Sequence, residues 1–210
     1  MKNYAFYFSG SGTRVRKLIQ SNYLKKDNFK FLITDSKAAH EHIDFKEYNL
    51  SFVDFEKLEG SLDEKNLQLS NRLLEYFKFN NIEYVFCWGD HILKGTLIRE
   101  YKNRIINFHP SILPFLKGRK AVDKALNQKS FLCGNTAHFI DDGVDTGPII
   151  MQSICHLNTK FENGAYDAVL DIQLEMTKKI INWIELDLLE ICNEKVIVKG
   201  EDYNKVLSIP

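Results

Sequence analysis

Tyr4-Ala5-Phe6-Tyr7-Phe8-Ser9-Gly10-Ser11-Gly12-Thr13-Arg14 begins with five consecutive apolar residues and passes into a loop carrying two glycines. An apolar run of that length, bounded by a turn signal, reads as a strand buried on both faces. Val15, Leu18 and Ile19 follow at helical spacing, so the segment reads as strand, glycine loop and helix. The same alternation continues down the chain. Phe29-Lys30-Phe31-Leu32-Ile33 reads as a second strand, and a polar stretch from Asp35 to Glu47 breaks the pattern. From Leu62 to Phe79 the apolar residues Leu67, Leu69, Leu73, Leu74 and Phe77 mark one helix face, and Tyr84-Val85-Phe86-Cys87-Trp88 is again strand-like.

Strands alternating with helices imply an α/β, Rossmann-like fold: a mostly parallel central sheet with helices on both faces. Ligands of such sheets sit beyond the carboxyl ends of the strands. In the second half, a helix from Ala121 to Asn127 precedes β runs at Thr136–Ile140 and Ile149–His156. Helical periodicity returns from Ala165 to Ile191, and Lys195–Lys199 reads as a terminal strand closing an edge. Residues 1–195 are expected to form one catalytic domain, with 196–210 a short extension, either edge strand or tail.

Bulk composition narrows the class. A chain of 210 residues with 44% hydrophobic content suffices for one sizeable core. With 28 basic and 28 acidic residues the formal charge is zero, so no global field recruits nucleic acid or an anionic membrane. Cys87, Cys133, Cys155 and Cys192 form no C-x-x-C pair, which speaks against a disulfide framework or a zinc site. No stretch approaches the ~20 apolar residues that span a bilayer. A cytoplasmic protein is expected. The 15 Phe and 9 Tyr are compatible with a large core or with a homodimer surface.

Asn107-Phe108-His109-Pro110-Ser111 follows the apolar Ile105-Ile106 and is stopped by Pro110, and Asp145-Thr146-Gly147-Pro148 lies far downstream. Alternation along an extended chain places Asn107 and His109 on one side and Phe108 on the other. A carboxamide, an imidazole and a carboxylate suffice for acyl transfer to an amine: two donors for a developing oxyanion and an acceptor for the amine proton. Each residue alone has an ordinary reading, as a turn residue or a structural histidine.

Ile105–Gly118 (I-I-N-F-H-P-S-I-L-P-F-L-K-G) and Gly134–Gln152 (G-N-T-A-H-F-I-D-D-G-V-D-T-G-P-I-I-M-Q) resemble the two signature regions of the folate-dependent formyltransferases. With the N-terminal strand and loop, the resemblance covers most of residues 1–185. It implies the formyltransferase fold, 10-formyltetrahydrofolate as formyl donor, no metal, and Asn107, His109 and Asp145 as the catalytic trio. His138 resembles the family's second histidine, and either supports the trio from behind or packs in the core. The pterin ring is expected between the Asp141-Asp142-Gly143-Val144 turn and the segment around Ile92 and Leu93.

The loop Gly10-Ser11-Gly12-Thr13-Arg14 between strand and helix suits a phosphate. A dinucleotide fingerprint would need glycine at position 15, where this chain has Val15. The expected partner is therefore a small-molecule amine carrying a phosphate or nucleotide. Arg14 stands where the purine enzymes of the family carry Asn, and Gln173 where they carry Glu. The run Gly89-Asp90-His91-Ile92-Leu93 lacks their arginine. These departures point to a nucleotide-linked amino sugar and hence to a sugar N-formyltransferase, with Arg14, Arg16 and Arg119 available for its phosphates. Phosphoribosylglycinamide is the alternative substrate, favoured by Phe115-Leu116-Lys117-Gly118. A non-catalytic folate-binding protein is a further reading. A zinc deaminase, suggested by His40-Glu41-His42, lacks the paired cysteines.

Overall fold

The computed structural model describes residues 2–21, 31–48, 50–128, 132–156 and 164–203. The opening segment forms β1 (Tyr4–Phe8) and α1 (Thr13–Gln20), and β2 (Phe31–Thr34) follows. Phe29 and Lys30, expected in that strand, lie outside the described residues. Next come α2 (Lys37–His40), β3 (Leu50–Phe52), α3 (Leu62–Phe79), β4 (Tyr84–Trp88), α4 (Thr96–Glu100) and β5 (Ile105–His109). The chain continues through α5 (Ala121–Asn127), β6 (Leu132–Phe139), β7 (Ile149–His156) and α6 (Gly164–Glu185) to a hairpin of β8 (Leu189–Cys192) and β9 (Lys195–Val198).

Seven strands form one sheet in the order β3-β2-β1-β4-β5-β6-β7. The pairings from β3 through β5 are parallel, and β6 is antiparallel to both β5 and β7. The fold is thus the mostly parallel α/β sheet that the alternation of elements implies. Period-two alternation divides the core between the two faces. Tyr4, Phe6 and Phe8 pack with Leu18 of α1 and with Leu174, Ile180 and Ile184 of α6. Ala5 and Tyr7 face Leu69, Leu73 and Phe77 of α3 and Leu97 of α4. Helix α3 starts at a capping box, in which Ser61 accepts from the Glu64 amide and the Glu64 carboxylate accepts from the Ser61 amide.

The C-terminal expectation needs correction. Helix α6 stops at Glu185, because Asp187 turns to φ 50° and the Leu188 amide donates back to Trp183 at 2.9 Å. The apolar spacing beyond it belongs to β8. Strand β9 pairs with β8 in a separate two-stranded sheet and closes no edge of the main one. Of the expected extension, 204–210 lies outside the described residues. His40 stacks on Phe52 at 4.6 Å, and His42 accepts from the Asp44 amide at 3.2 Å.

Candidate active site

At the carboxyl end of β5, Ile106 and Phe108 point into the face that α1 and α6 cover. Asn107 and His109 therefore project from the opposite face. Across the antiparallel pairing, Asn107 sits directly opposite His138 of β6, and side chains so placed meet. Asp145 lies in the turn between β6 and β7 with φ 53°. Its side chain is 11% exposed, beside a His109 side chain that is 6% exposed.

The hydrogen bonds fix protonation by elimination. His138 Nδ1 is 2.9 Å from the Phe139 carbonyl, which can only accept, so Nδ1 carries the hydrogen. Nε2 is then free to accept from Asn107 Nδ2 at 3.3 Å. This orients the Asn107 carboxamide and leaves its second N–H for another acceptor. His109 differs. Its Nε2 lies 2.8 Å from the Leu116 carbonyl and its Nδ1 3.3 Å from Asp145 Oδ2. Both partners only accept, so either ring nitrogen can donate where it stands. The Gly118 amide also donates to Asp145 Oδ2, at 2.9 Å. The Leu116 carbonyl and the Gly118 amide are site groups that side-chain reasoning did not find. Gly118, at φ 77°, was their one sequence signal.

Burial lowers the pKa of His138 below the ordinary 6.5, against the Phe139 carbonyl and Asp145, which raise it. An unfolded histidine binds its proton at a pH where the folded one remains neutral. The stabilising contribution is therefore complete above 6.5 and is lost as pH falls from there through the folded value. His138→Gln is expected to flatten this part of the pH–stability curve. Urea denaturation at pH values above and below 6.5 measures it, and an unchanged slope would count against a buried neutral ring.

The glycine loop builds a second feature. Residues 8–15, with Trp88 and Asp90, line a cavity of about 180 Å³ at the start of α1. Gly12 is the N-cap at φ 65°, and a Cβ there would meet the Phe8 ring at 2.7 Å, so only glycine fits. No side chain caps α1, which leaves its first amides available. Ser11 and Thr13 hydroxyls pair at 2.8 Å. Arg14 Nε donates to Gln173 Oε1 at 2.6 Å, and Gln173 Nε2 donates to buried Asn135 at 2.7 Å.

Near the expected pterin turn, the Asp141 carboxylate accepts from the Gly143 amide at 3.1 Å and from Thr146 Oγ1 at 2.7 Å. That side chain serves the turn itself. A cavity of about 1110 Å³ borders the turn at Asp141, Asp142 and Gly143, with Ile98 of α4, Lys102 in the turn after it and Lys195 of β9 on its other walls. Ile92 and Leu93 do not line it. Leu93 is buried in the core beside α3, whereas Ile92 is exposed, as is Val144. Among the described residues no group of His, Cys, Asp and Glu could hold a metal ion. No described helix is long and apolar enough to cross a membrane.

Comparison with known proteins identifies the relatives. Phosphoribosylglycinamide formyltransferase of Bacillus subtilis (strain 168) is 29% identical over 163 residues, 75% of this chain and 81% of its own length. The trifunctional purine biosynthetic protein adenosine-3 of Chironomus tentans is 34% identical over 107 residues, 50% of this chain but 7% of that protein. Among solved structures, phosphoribosylglycinamide formyltransferase from Anaplasma phagocytophilum superposes with a TM-score of 0.80 at 20% identity, covering 96% of each chain. A formyltetrahydrofolate deformylase from Pseudomonas syringae pv. tomato shares the fold, with a TM-score of 0.77 at 17% identity over 94% of this chain and 66% of its own.

These relatives overturn the sugar N-formyltransferase expectation, since those named as transferring a formyl group are phosphoribosylglycinamide enzymes. The structure supplies the physical reason. Arg14 and Gln173, read in sequence as two independent departures, are hydrogen-bonded to each other and so count as one. The formyl transferase model matches residues 2–173, and the chain belongs to that family.

Proposed function

We propose that the protein transfers a formyl group from 10-formyltetrahydrofolate to the amine of phosphoribosylglycinamide. The observation that carries this reading is the arrangement around His109. An imidazole held between two acceptors stands beside an oriented carboxamide, with a nearly buried carboxylate in contact. The Bacillus subtilis relative supports the choice of amine.

When bound, the folate supplies a formyl carbon that is open to attack by an amine. The chain's own groups supply the rest. The free N–H of Asn107 stabilises negative charge developing on the formyl oxygen, an effect whose removal typically costs ~10²–10³ in rate. The His109 ring, when protonated, adds positive charge at the same place. Asp145 holds that ring and accepts the proton the amine must lose, which then passes to the departing folate nitrogen. The cavity beside the Asp141–Gly143 turn suits the donor: Ile98 offers apolar contact to a ring, and Arg99, Lys102 and Lys195 suit carboxylates. The Gly10–Arg14 loop suits the phosphate of the amine substrate, with the first amides of α1 as donors.

The test is release of tetrahydrofolate, followed by absorbance, with and without phosphoribosylglycinamide. Release that requires the amine is the expected result. Release without any amine would make the protein a hydrolase, and folate binding without release would make it a non-catalytic binder.

A further inference from the structure

Behind the glycine loop lies a buried polar cluster that the proposed chemistry does not use. Asp35, at the end of β2, is 7% exposed, and its Oδ2 accepts from the Tyr7 hydroxyl and, at 2.7 Å, from Ser9 Oγ. Having given its only hydrogen to a carboxylate, Ser9 Oγ is left as an acceptor, and the Asp90 amide donates to it at 2.9 Å. The Asp90 carbonyl in turn accepts from Arg119 at 3.2 Å. His91 Nε2 stands 3.6 Å from the same Asp35 oxygen, with its ring stacked on Phe55 at 3.5 Å. Gly89 permits this approach, because a Cβ there would lie 2.2 Å from the Tyr7 ring.

One hydroxyl thus ties together the start of the 9–14 loop and the 89–93 segment, and a buried carboxylate fixes that hydroxyl. An isolated charge is not buried without partners. Here its partners fix Asp90 and the start of the glycine loop, which line one cavity at the start of α1. We propose that Ser9, anchored by Asp35, is a positioning residue that holds Asp90 in fixed relation to the phosphate cradle, so that binding of the amine substrate depends on it. The proposal rests on the cradle reading given above.

The test is Ser9→Ala, assayed with each substrate varied in turn. Loss of both hydrogen bonds of the Ser9 hydroxyl is expected to raise KM for phosphoribosylglycinamide by about tenfold, with KM for 10-formyltetrahydrofolate and kcat each within about threefold. Ser9→Thr, which keeps the hydroxyl, should restore the amine KM. Hydrogen exchange of the free protein should show the Asp90 amide losing protection in Ser9→Ala while β5 amides keep theirs. An equal rise in both KM values would mark a general loosening rather than a hold on the cradle. A fall in kcat with both KM values intact would mark a purely structural role. Either outcome overturns the proposal, as would an unchanged Asp90 amide. If Ser9→Ala does not fold, Asp35→Asn, which keeps an acceptor oxygen but removes the charge, is read by the same two KM values. A wild-type protein inactive with this substrate pair defeats the function reading itself, and the hydrogen-exchange result still shows whether Ser9 orders the 89–93 segment.

Discussion

Asp145→Asn is expected to lower kcat by about 10²–10⁴-fold, the span associated with losing a general base, while leaving the fold intact. Asparagine is the informative replacement because it preserves the surroundings. Position 145 sits at φ 53°, a conformation that asparagine tolerates better than alanine. Its amide oxygen can still accept from Gly118, as Asp145 Oδ2 does at 2.9 Å. Its amide nitrogen would then take the place of Oδ1, which lies 3.7 Å from His138 Nε2, an atom already assigned as an acceptor. Only the charge disappears. Without it the His109 ring loses the carboxylate beside it, and the amine proton loses its acceptor. Steady-state kinetics with circular dichroism and a melting curve check the result. A correctly folded variant with kcat within tenfold of wild type would remove Asp145 from the chemistry and leave it as a turn residue.

What could be read from the sequence follows from where each signal resides. Tyr4–Phe8 and Tyr84–Trp88 were legible because uninterrupted apolar runs bounded by turn residues leave few alternatives. Helix α3 was legible from its spacing. Of the hairpin after α6, β9 was read as a strand but β8 was not, because Leu186, Leu189 and Ile191 continue an apolar pattern that periodicity assigns to a helix, and no glycine or proline marks the stop at Glu185. Strand β3, three residues long, is too short for any pattern to emerge. At the site, Asn107, His109 and Asp145 were legible as side chains within motifs. The Leu116 carbonyl was not, since a backbone atom carries no residue identity. Neither was the bond between Arg14 and Gln173, 159 residues apart, and missing it turned one bonded pair into two separate arguments for a sugar substrate.

Phe86→Ala is expected to destabilise the protein by about 3–5 kcal/mol, the range for emptying a fully buried aromatic site. Phe86 is inaccessible, at 0% exposure. Its ring centroid lies 5.4 Å from Phe6, 6.0 Å from Tyr4, 6.4 Å from Phe108 and 6.5 Å from Trp88. In the sheet it is paired with Phe6 of β1 and Ile106 of β5. The ring therefore joins three central strands on the face covered by α6, where neighbouring aromatic rings cannot collapse into the space without leaving their own strands. Against a total stability of roughly 5–15 kcal/mol for a natural domain, a loss of this size moves the melting temperature by roughly 2–4 °C for each kcal/mol. Denaturant titration measures the change directly, and a loss below about 1.5 kcal/mol would show a core able to refill the site. The effect should reach the chemistry as well. Phe108, held in the same stack 5.6 Å from Trp88, is the residue between Asn107 and His109. Slack in the ring stack lets the end of β5 shift, so kcat per folded molecule should fall together with stability. Phe86→Leu fills most of the volume and should recover the greater part of both losses. Recovery of stability without recovery of kcat would mean that the flat ring, rather than apolar volume alone, sets the position of β5.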